Sequence, residues 1–176
     1  MGEELKQDIF ENEETKKLIP EHGQGLVPGC GSGYDVVFLA NKDRHMTGMD
    51  FSQTCVDKLL KDHPDASAHN YDFICADFYK FKAPEEGYVL AYDYTQVLHT
   101  MQLVSRRALT FAVVSYGVLI TLMYPLDDHE GGPPFALNEQ VYNELLSANF
   151  NLVFIKDAVG HPSRIGKEKI AVWKRK

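Results

Sequence analysis

Leu26-Val27-Pro28-Gly29-Cys30-Gly31-Ser32-Gly33-Tyr34-Asp35 is the stretch that decides the fold of this 176-residue chain. It reads as the end of a buried strand, then three glycines at alternate positions, then the opening of a helix whose apolar residues Val36, Val37, Leu39 and Ala40 follow directly. A strand that turns sharply into a helix exposes backbone N–H groups at the turn. Alternate glycines let that backbone adopt positive φ and let a ligand approach without meeting a Cβ.

Such a turn serves a dinucleotide, a phosphate or S-adenosylmethionine equally well, and a tight βα turn with no ligand reads the same way. The segments that follow narrow the choice. His45-Met46-Thr47-Gly48-Met49 reads as a second strand ending in Asp50, 21 residues after Gly29, where a carboxylate beside the first turn can accept hydrogen bonds from ribose hydroxyls. A third strand, Tyr71 to Cys75, ends in Ala76-Asp77-Phe78, an acid and an aromatic suited to the edge and face of adenine. Three strand ends converging on one nucleoside-sized ligand are hard to reconcile with an ordinary capping Asp.

Hydrophobic residues at 44% and charged residues at 24% give one globular domain with a real core. A net charge of −7 and a pI near 5.4 argue against nucleic acid as the main partner. Lys167, Lys169 and Lys174 to Lys176 read as a solvated terminal strand. Cys30, Cys55 and Cys75 are an odd number without metal-like spacing, Met1 to Phe10 is polar and acidic, and the expected setting is a reducing, cytoplasmic one. The uncharged run between Arg107 and Asp127 approaches the length of a membrane span. Ser115-Tyr116-Gly117 breaks it, and the expectation is a helix over Gln102–Val114, a turn, and a buried strand over Val118–Tyr124, with no membrane contact.

The remaining elements alternate. A helix over Glu3–Ile19 ends at Pro20, strand Gly25–Val27 leads into helix Tyr34–Asn41, and Ser52 caps a helix running to Lys61. Strand Tyr88–Tyr92 follows the turn Pro84–Gly87, Asn138 caps a helix to Ala148, and Leu152–Lys156 and Lys169–Trp173 are two extended runs with no helix between them. The pattern predicts an α/β fold: a mostly parallel sheet flanked by helices, closed by a C-terminal antiparallel hairpin. Residues 1–24 are expected as an N-terminal helical segment and 25–176 as the ligand-binding domain.

At the level of motifs, Val27-Pro28-Gly29-Cys30-Gly31-Ser32-Gly33-Tyr34-Asp35-Val36-Val37 resembles the first motif of the thiol and halide methyltransferases, relatives of the thiopurine methyltransferases. Leu119-Ile120-Thr121-Leu122-Met123-Tyr124-Pro125-Leu126-Asp127-Asp128-His129-Glu130-Gly131-Gly132-Pro133-Pro134-Phe135 is similar to their loop after the fifth strand. Ala76-Asp77-Phe78, Tyr92-Asp93-Tyr94-Thr95 and Gly166-Lys167-Glu168-Lys169 resemble their third- and fourth-strand endings and closing hairpin. The likeness spans about Gly25 to Lys174, and the proline-bearing loop is its most specific part.

The resemblance implies a Rossmann-like class I methyltransferase that uses S-adenosyl-L-methionine, leaves S-adenosyl-L-homocysteine, and methylates a small soft nucleophile such as a thiol, bisulfide or halide. It implies cofactor contacts from Gly29, the backbone of Cys30, Gly31, Asp50, Phe51, Asp77, Phe78 and Asp93, and places Tyr124, with Tyr94 next, near the reacting centre. The chemistry asks mainly for alignment and exclusion of water, which fits the lack of an evident nucleophile and base pair. Asp127-Asp128-His129 reads as a hydrogen-bonded loop and not a metal site, Cys30 as a packing residue, and His99 as a core-edge group. The expected partner is a small-molecule substrate, with neither nucleic acid nor membrane, and a homo-oligomer stays open.

Two departures accompany the likeness. Family members carry a longer N-terminal segment with tryptophans and a Pro-Trp-Asp element that covers the site; here 24 residues precede Gly25 and the sole tryptophan is Trp173. Gln96 to Gln102 also lacks the family's aromatic and Glu-Pro pattern. A reduced cover is therefore expected, with a noncatalytic nucleoside-binding module as the alternative. An NAD-dependent oxidoreductase ranks last, since no hydride-handling His, Tyr and Lys set is evident.

Overall fold

A computed structural model of the chain describes residues 9–94, 112–132, 136–159 and 162–176. Seven strands among them form one sheet: β1 (Gly23–Pro28), β2 (Arg44–Asp50), β3 (Tyr71–Cys75), β4 (Tyr88–Tyr94), β5 (Val113–Met123), β6 (Phe150–Asp157) and β7 (Lys169–Arg175). Their order is β3-β2-β1-β4-β5-β7-β6. The first five run parallel to one another, and β7 runs antiparallel to both β5 and β6. The expected mostly parallel sheet with a closing hairpin is the observed one, and the chain order reverses on either side of β1 and β4. Parallel strands crossing over in this way bring their carboxyl ends to one edge, with a crevice where the order reverses.

Helices α1 (Glu13–Lys16), α2 (Tyr34–Leu39), α3 (Gln53–Asp62) and α4 (Glu139–Leu146) flank the sheet. Val36 and Leu39 of α2 and Val56 and Leu59 of α3 pack with Ile9 and Ile19 on one face, so the N-terminal residues share the core of the domain that follows them. On the other face Tyr142, Leu145 and Leu146 of α4 pack with Phe150 and Trp173. Trp173 Nε1 donates to Thr121 Oγ1 at 3.0 Å, which satisfies an indole N–H that burial would otherwise strand.

Local signals placed the helix starts. Ser52 Oγ accepts from Cys55 N at 3.3 Å, and Asn138 Oδ1 accepts from Val141 N at 3.0 Å. Arg44, almost wholly buried at the start of β2, donates through Nε and Nη2 to the Leu39 carbonyl at 2.9 and 2.6 Å and through Nη1 to Pro20 O. One guanidinium thus satisfies the end of α2 and pins the N-terminal segment to it.

The segment around Ser115-Tyr116-Gly117 corrects the sequence reading. Val113 pairs with Tyr88 and Val118 with Leu90, so β5 is already a strand at Val113, and the three residues bulge out of it instead of separating a helix from a strand. Tyr116 takes a φ of 66° and is exposed, while a Cβ at Gly117 would lie 2.7 Å from Val113 Cγ1. Hydrophobicity and turn residues together mimic a helix boundary here, because a bulge uses the same residue types as a turn. Beyond the bulge β5 is central, buried on both faces, and among the described residues no helix is long and apolar enough to cross a membrane. The expected helix over Gln102–Val114 otherwise falls outside the described residues, as do Gln96 to Gln102 with His99.

Candidate functional site

The glycine turn sits at the carboxyl end of β1, in the crevice. Gly29, Gly31 and Gly33 take φ values of 63°, 50° and 75°, a region that Cβ-bearing residues enter at a cost. The glycines serve different ends. A Cβ on Gly33 would meet Leu59 Cδ2 at 2.8 Å and Phe73 Cε1 at 2.9 Å, so this glycine lets the start of α2 pack on α3 and β3. Among the described residues, a Cβ on Gly31 would meet nothing within 4 Å. The space over Gly31 is open, as a ligand approaching the backbone requires.

Asp50, at the end of β2, holds the turn. Gly31 N–H donates to Asp50 Oδ2 at 3.1 Å and Ser52 N–H to Oδ1 at 2.9 Å. A carboxylate has about four lone-pair sites, so both oxygens keep acceptor capacity toward a ribose. Cys30 N–H donates to Met49 O at 2.9 Å, and the Cys55 thiol donates to Gly31 O at 3.1 Å. Burial, reinforced by the Asp50 carboxylate, pushes the Cys30 thiol up to about 12, the opposite of an activated nucleophile.

The other residues named from sequence are less uniformly placed. Phe51 is 79% exposed beside Asp50. Asp77 Oδ1 accepts from Tyr79 N–H at 3.0 Å, Asp77 Oδ2 pairs with Lys80 at 3.3 Å, and the Asp77 carbonyl accepts from Lys80 and Phe81, so the residue organises the turn after β3. Phe78 packs against the core on its inner side. Asp93 is 0% exposed: β4 alternates, so Tyr92 and Tyr94 face the α2 side while Ala91 and Asp93 face α4, where the Asp93 charge joins burial in raising the Tyr142 phenol. Gly29, Gly31 and Asp50 are thus brought together, while Asp77 and Phe78 line the adjoining turn and Asp93 lies inside.

Across the crevice, parallel pairing sets Leu26 beside Ala91, which carried forward puts Gly29 level with Tyr94. Tyr94 in turn lies beside Leu122, two residues before Tyr124. Asp50 and Tyr124 are therefore three strand spacings apart across the sheet and two residues apart along it, about 16 Å, a span suited to an extended nucleoside derivative. Sequence reading missed what joins the two tyrosines. Arg164, from the short helical turn Pro162–Arg164 between β6 and β7, donates through Nη1 to Tyr94 Oη and lies over the Tyr124 ring at 4.7 Å from its centroid. The same Nη1 contacts Glu168 Oε1 at 3.0 Å, and Glu168 is only 3% exposed. The sole local sign of Arg164 was a basic residue four positions before an acid.

The loop after β5 docks on this connection: Leu126 N–H donates to Lys167 O at 2.9 Å, and Asp127 pairs with Lys167 at 3.2 Å and with the His129 ring. The hydrogen bond from His129 holds the Asp127 carboxyl below its usual range. Among the described residues no group of three or more His, Cys, Asp or Glu gathers as a metal site.

The sheet order and the glycine turn define a Rossmann-like class I methyltransferase fold, and known proteins agree. The structure of the [4+2]-cyclase SpnF matches 99% of this chain and 79% of its own with a TM-score of 0.75 at 16% identity. Magnesium protoporphyrin IX methyltransferase from Synechocystis PCC 6803 with bound SAH matches 92% of this chain and 76% of its own with a TM-score of 0.68 at 15% identity. A cyclase and a methyltransferase on one architecture show that the fold alone does not fix the reaction. The sequence goes further: the family described as Thiopurine S-methyltransferase (TPMT) matches residues 5–176. A probable thiol methyltransferase 2 of Arabidopsis thaliana is 36% identical over 162 residues, covering 88% of this chain and 70% of the relative. Thiocyanate methyltransferase 1 of Brassica oleracea is 33% identical over 159 residues, covering 87% and 70%. The chain belongs to the thiopurine S-methyltransferase family and is an S-adenosylmethionine-dependent methyltransferase.

Proposed function

We propose that the chain methylates a small soft nucleophile, a thiol or an ion such as thiocyanate, bisulfide or halide. Bound at the glycine turn, S-adenosylmethionine supplies a methyl group already activated on a sulfonium. Gly29, the Cys30 backbone, Gly31 and Asp50 hold its nucleoside, with Phe51, Asp77 and Phe78 bordering that half of the site and Asp93 lying behind it in the core. Tyr94 and Tyr124 orient the acceptor, and their hydroxyls offer hydrogen bonds without the charge that would compete with a nucleophile for the methyl group.

The observation that carries the reading is the meeting of Tyr94 and Tyr124 around one guanidinium at the strand ends beside the glycine turn. The names of the two plant relatives, a thiol and a thiocyanate methyltransferase, support the acceptor class. Incubation with S-adenosylmethionine and, in turn, thiocyanate, bisulfide, iodide and a small thiol is expected to release volatile methylated product, detected by headspace gas chromatography. Measurable S-adenosylhomocysteine binding with no product from any of the four would overturn the reading and leave a nucleoside-binding module.

A further inference from the structure

The β6–β7 connection brings a cation to the point where the tyrosines meet, a placement that no motif announces. We propose that Arg164 binds the methyl acceptor, holding it as a small, weakly hydrated monovalent anion such as thiocyanate or a thiolate. This rests on the methyl-transfer reading above and assigns its acceptor a charge and a binding residue.

Three observations carry it. The first is placement: Arg164 touches both residues assigned to the reacting centre, Tyr94 through a hydrogen bond and Tyr124 through its ring face. The second is charge. Glu168 offsets the guanidinium in part, yet both hydrogen bonds run through Nη1, and the side chain is 34% exposed. Among the described residues Nε and Nη2 keep their donors, which form a planar fork able to accept an anion. Among the described residues the neighbouring cation Lys167 is engaged with Asp127, which leaves the remaining donors of Arg164 to meet an anion at these strand ends. The third is the kind of cation. A guanidinium lying on an aromatic ring is weakly hydrated and polarisable, and it favours soft, poorly hydrated anions where an ammonium would keep its water. An anionic acceptor also enters as the nucleophile itself, with no proton for the protein to remove.

A competing role for Arg164 is a latch that neutralises buried Glu168 and ties the hairpin to β4. The single Arg164→Gln variant would leave that acid buried without its counter-ion, so the test uses the double variant Arg164→Gln/Glu168→Gln together with Arg164→Lys. Thiocyanate is titrated into each protein saturated with S-adenosylhomocysteine, by calorimetry. Thiocyanate affinity is expected to fall by about 10- to 100-fold in the double variant, the loss of a charge-assisted hydrogen-bonding partner, with S-adenosylhomocysteine affinity unchanged. Arg164→Lys should fall between the two. In turnover by the wild type, perchlorate, an anion of similar hydration that cannot be methylated, should raise the KM for thiocyanate and leave kcat alone.

Unchanged thiocyanate affinity in the folded double variant, or perchlorate that fails to compete, would make Arg164 the latch. Arg164-dependent thiocyanate binding without any methylated product would instead sink the methyl-transfer reading while leaving the anion site standing. A wild type that binds S-adenosylhomocysteine but no thiocyanate overturns the assignment.

Discussion

On the cofactor side of the crevice, Gly31 and Asp50 lie 19 residues apart in sequence and are joined by a backbone N–H meeting a carboxylate. On the acceptor side, Arg164 and Tyr94 lie 70 residues apart and are joined by side chains alone. The first arrangement follows from one βαβ unit: a strand, a turn that needs positive φ, a helix, and a second strand whose end must fall beside the first. The second exists only because the antiparallel hairpin folds back across the sheet beside β5. A site built from local backbone geometry is hard to alter without harming the fold, whereas one built from a returning connection can change its acceptor with little cost to the scaffold.

The largest effect that would sharpen this contrast comes from two neighbouring glycines. Gly33→Ala should lower stability by about 2–5 kcal/mol, combining left-handed strain with a Cβ driven into Leu59 and Phe73; a chemical denaturation curve measures it. Gly31→Ala meets no atom of the described residues and should cost only the strain, about 1–2 kcal/mol, while S-adenosylhomocysteine binding weakens sharply. If the two variants lose stability equally and binding equally, packing and ligand glycines are not distinct.

Asp50→Ala should weaken S-adenosylhomocysteine binding by about 1–3 kcal/mol, since it removes both the ribose acceptor and the carboxylate that holds Gly31 N–H. Calorimetry that finds no change would confine Asp50 to shaping the turn. On the opposite side, Tyr124→Phe should reduce kcat by about tenfold, one hydrogen bond to the reacting group, with cofactor affinity intact. The reverse pattern in steady-state kinetics would make Tyr124 a packing residue.

The smallest effect concerns the thiols. Iodoacetamide at neutral pH should label exposed Cys75 well before buried Cys30, as peptide mass spectrometry can follow. Because the Cys30 thiol rises from 9.0 to about 12 on folding, the native chain holds a proton that the unfolded chain releases between those values. Its contribution to stability is complete below pH 9 and is lost as pH rises through that window; a flat denaturation midpoint from pH 8.5 to 10 in comparison with Cys30→Ala would contradict it.

Much of the fold was legible because strand and helix periodicity, Ser52 and Asn138 as caps, and the glycine turn all act over a few residues. The reading failed at Ser115-Tyr116-Gly117, where a bulge inside β5 carries the residues of a turn, and only pairing with β4 tells the two apart. Within the candidate site, Gly31 and Asp50 were readable from their spacing. The inward direction of Asp93 was not, since it depends on which face of the sheet α4 covers, and neither was the clustering of Arg164 with Tyr94 and Tyr124.

The sequence by itself determined the parallel half of the sheet, the backbone geometry of the glycine turn and the place of Asp50 beside it, because steric limits on φ and the length of one βα unit leave few alternatives. Only the tertiary structure decided what stands opposite. A guanidinium, two phenols and a buried carboxylate from three distant segments meet there because β7 inserts between β5 and β6, and contacts of that range depend on how the whole sheet closes.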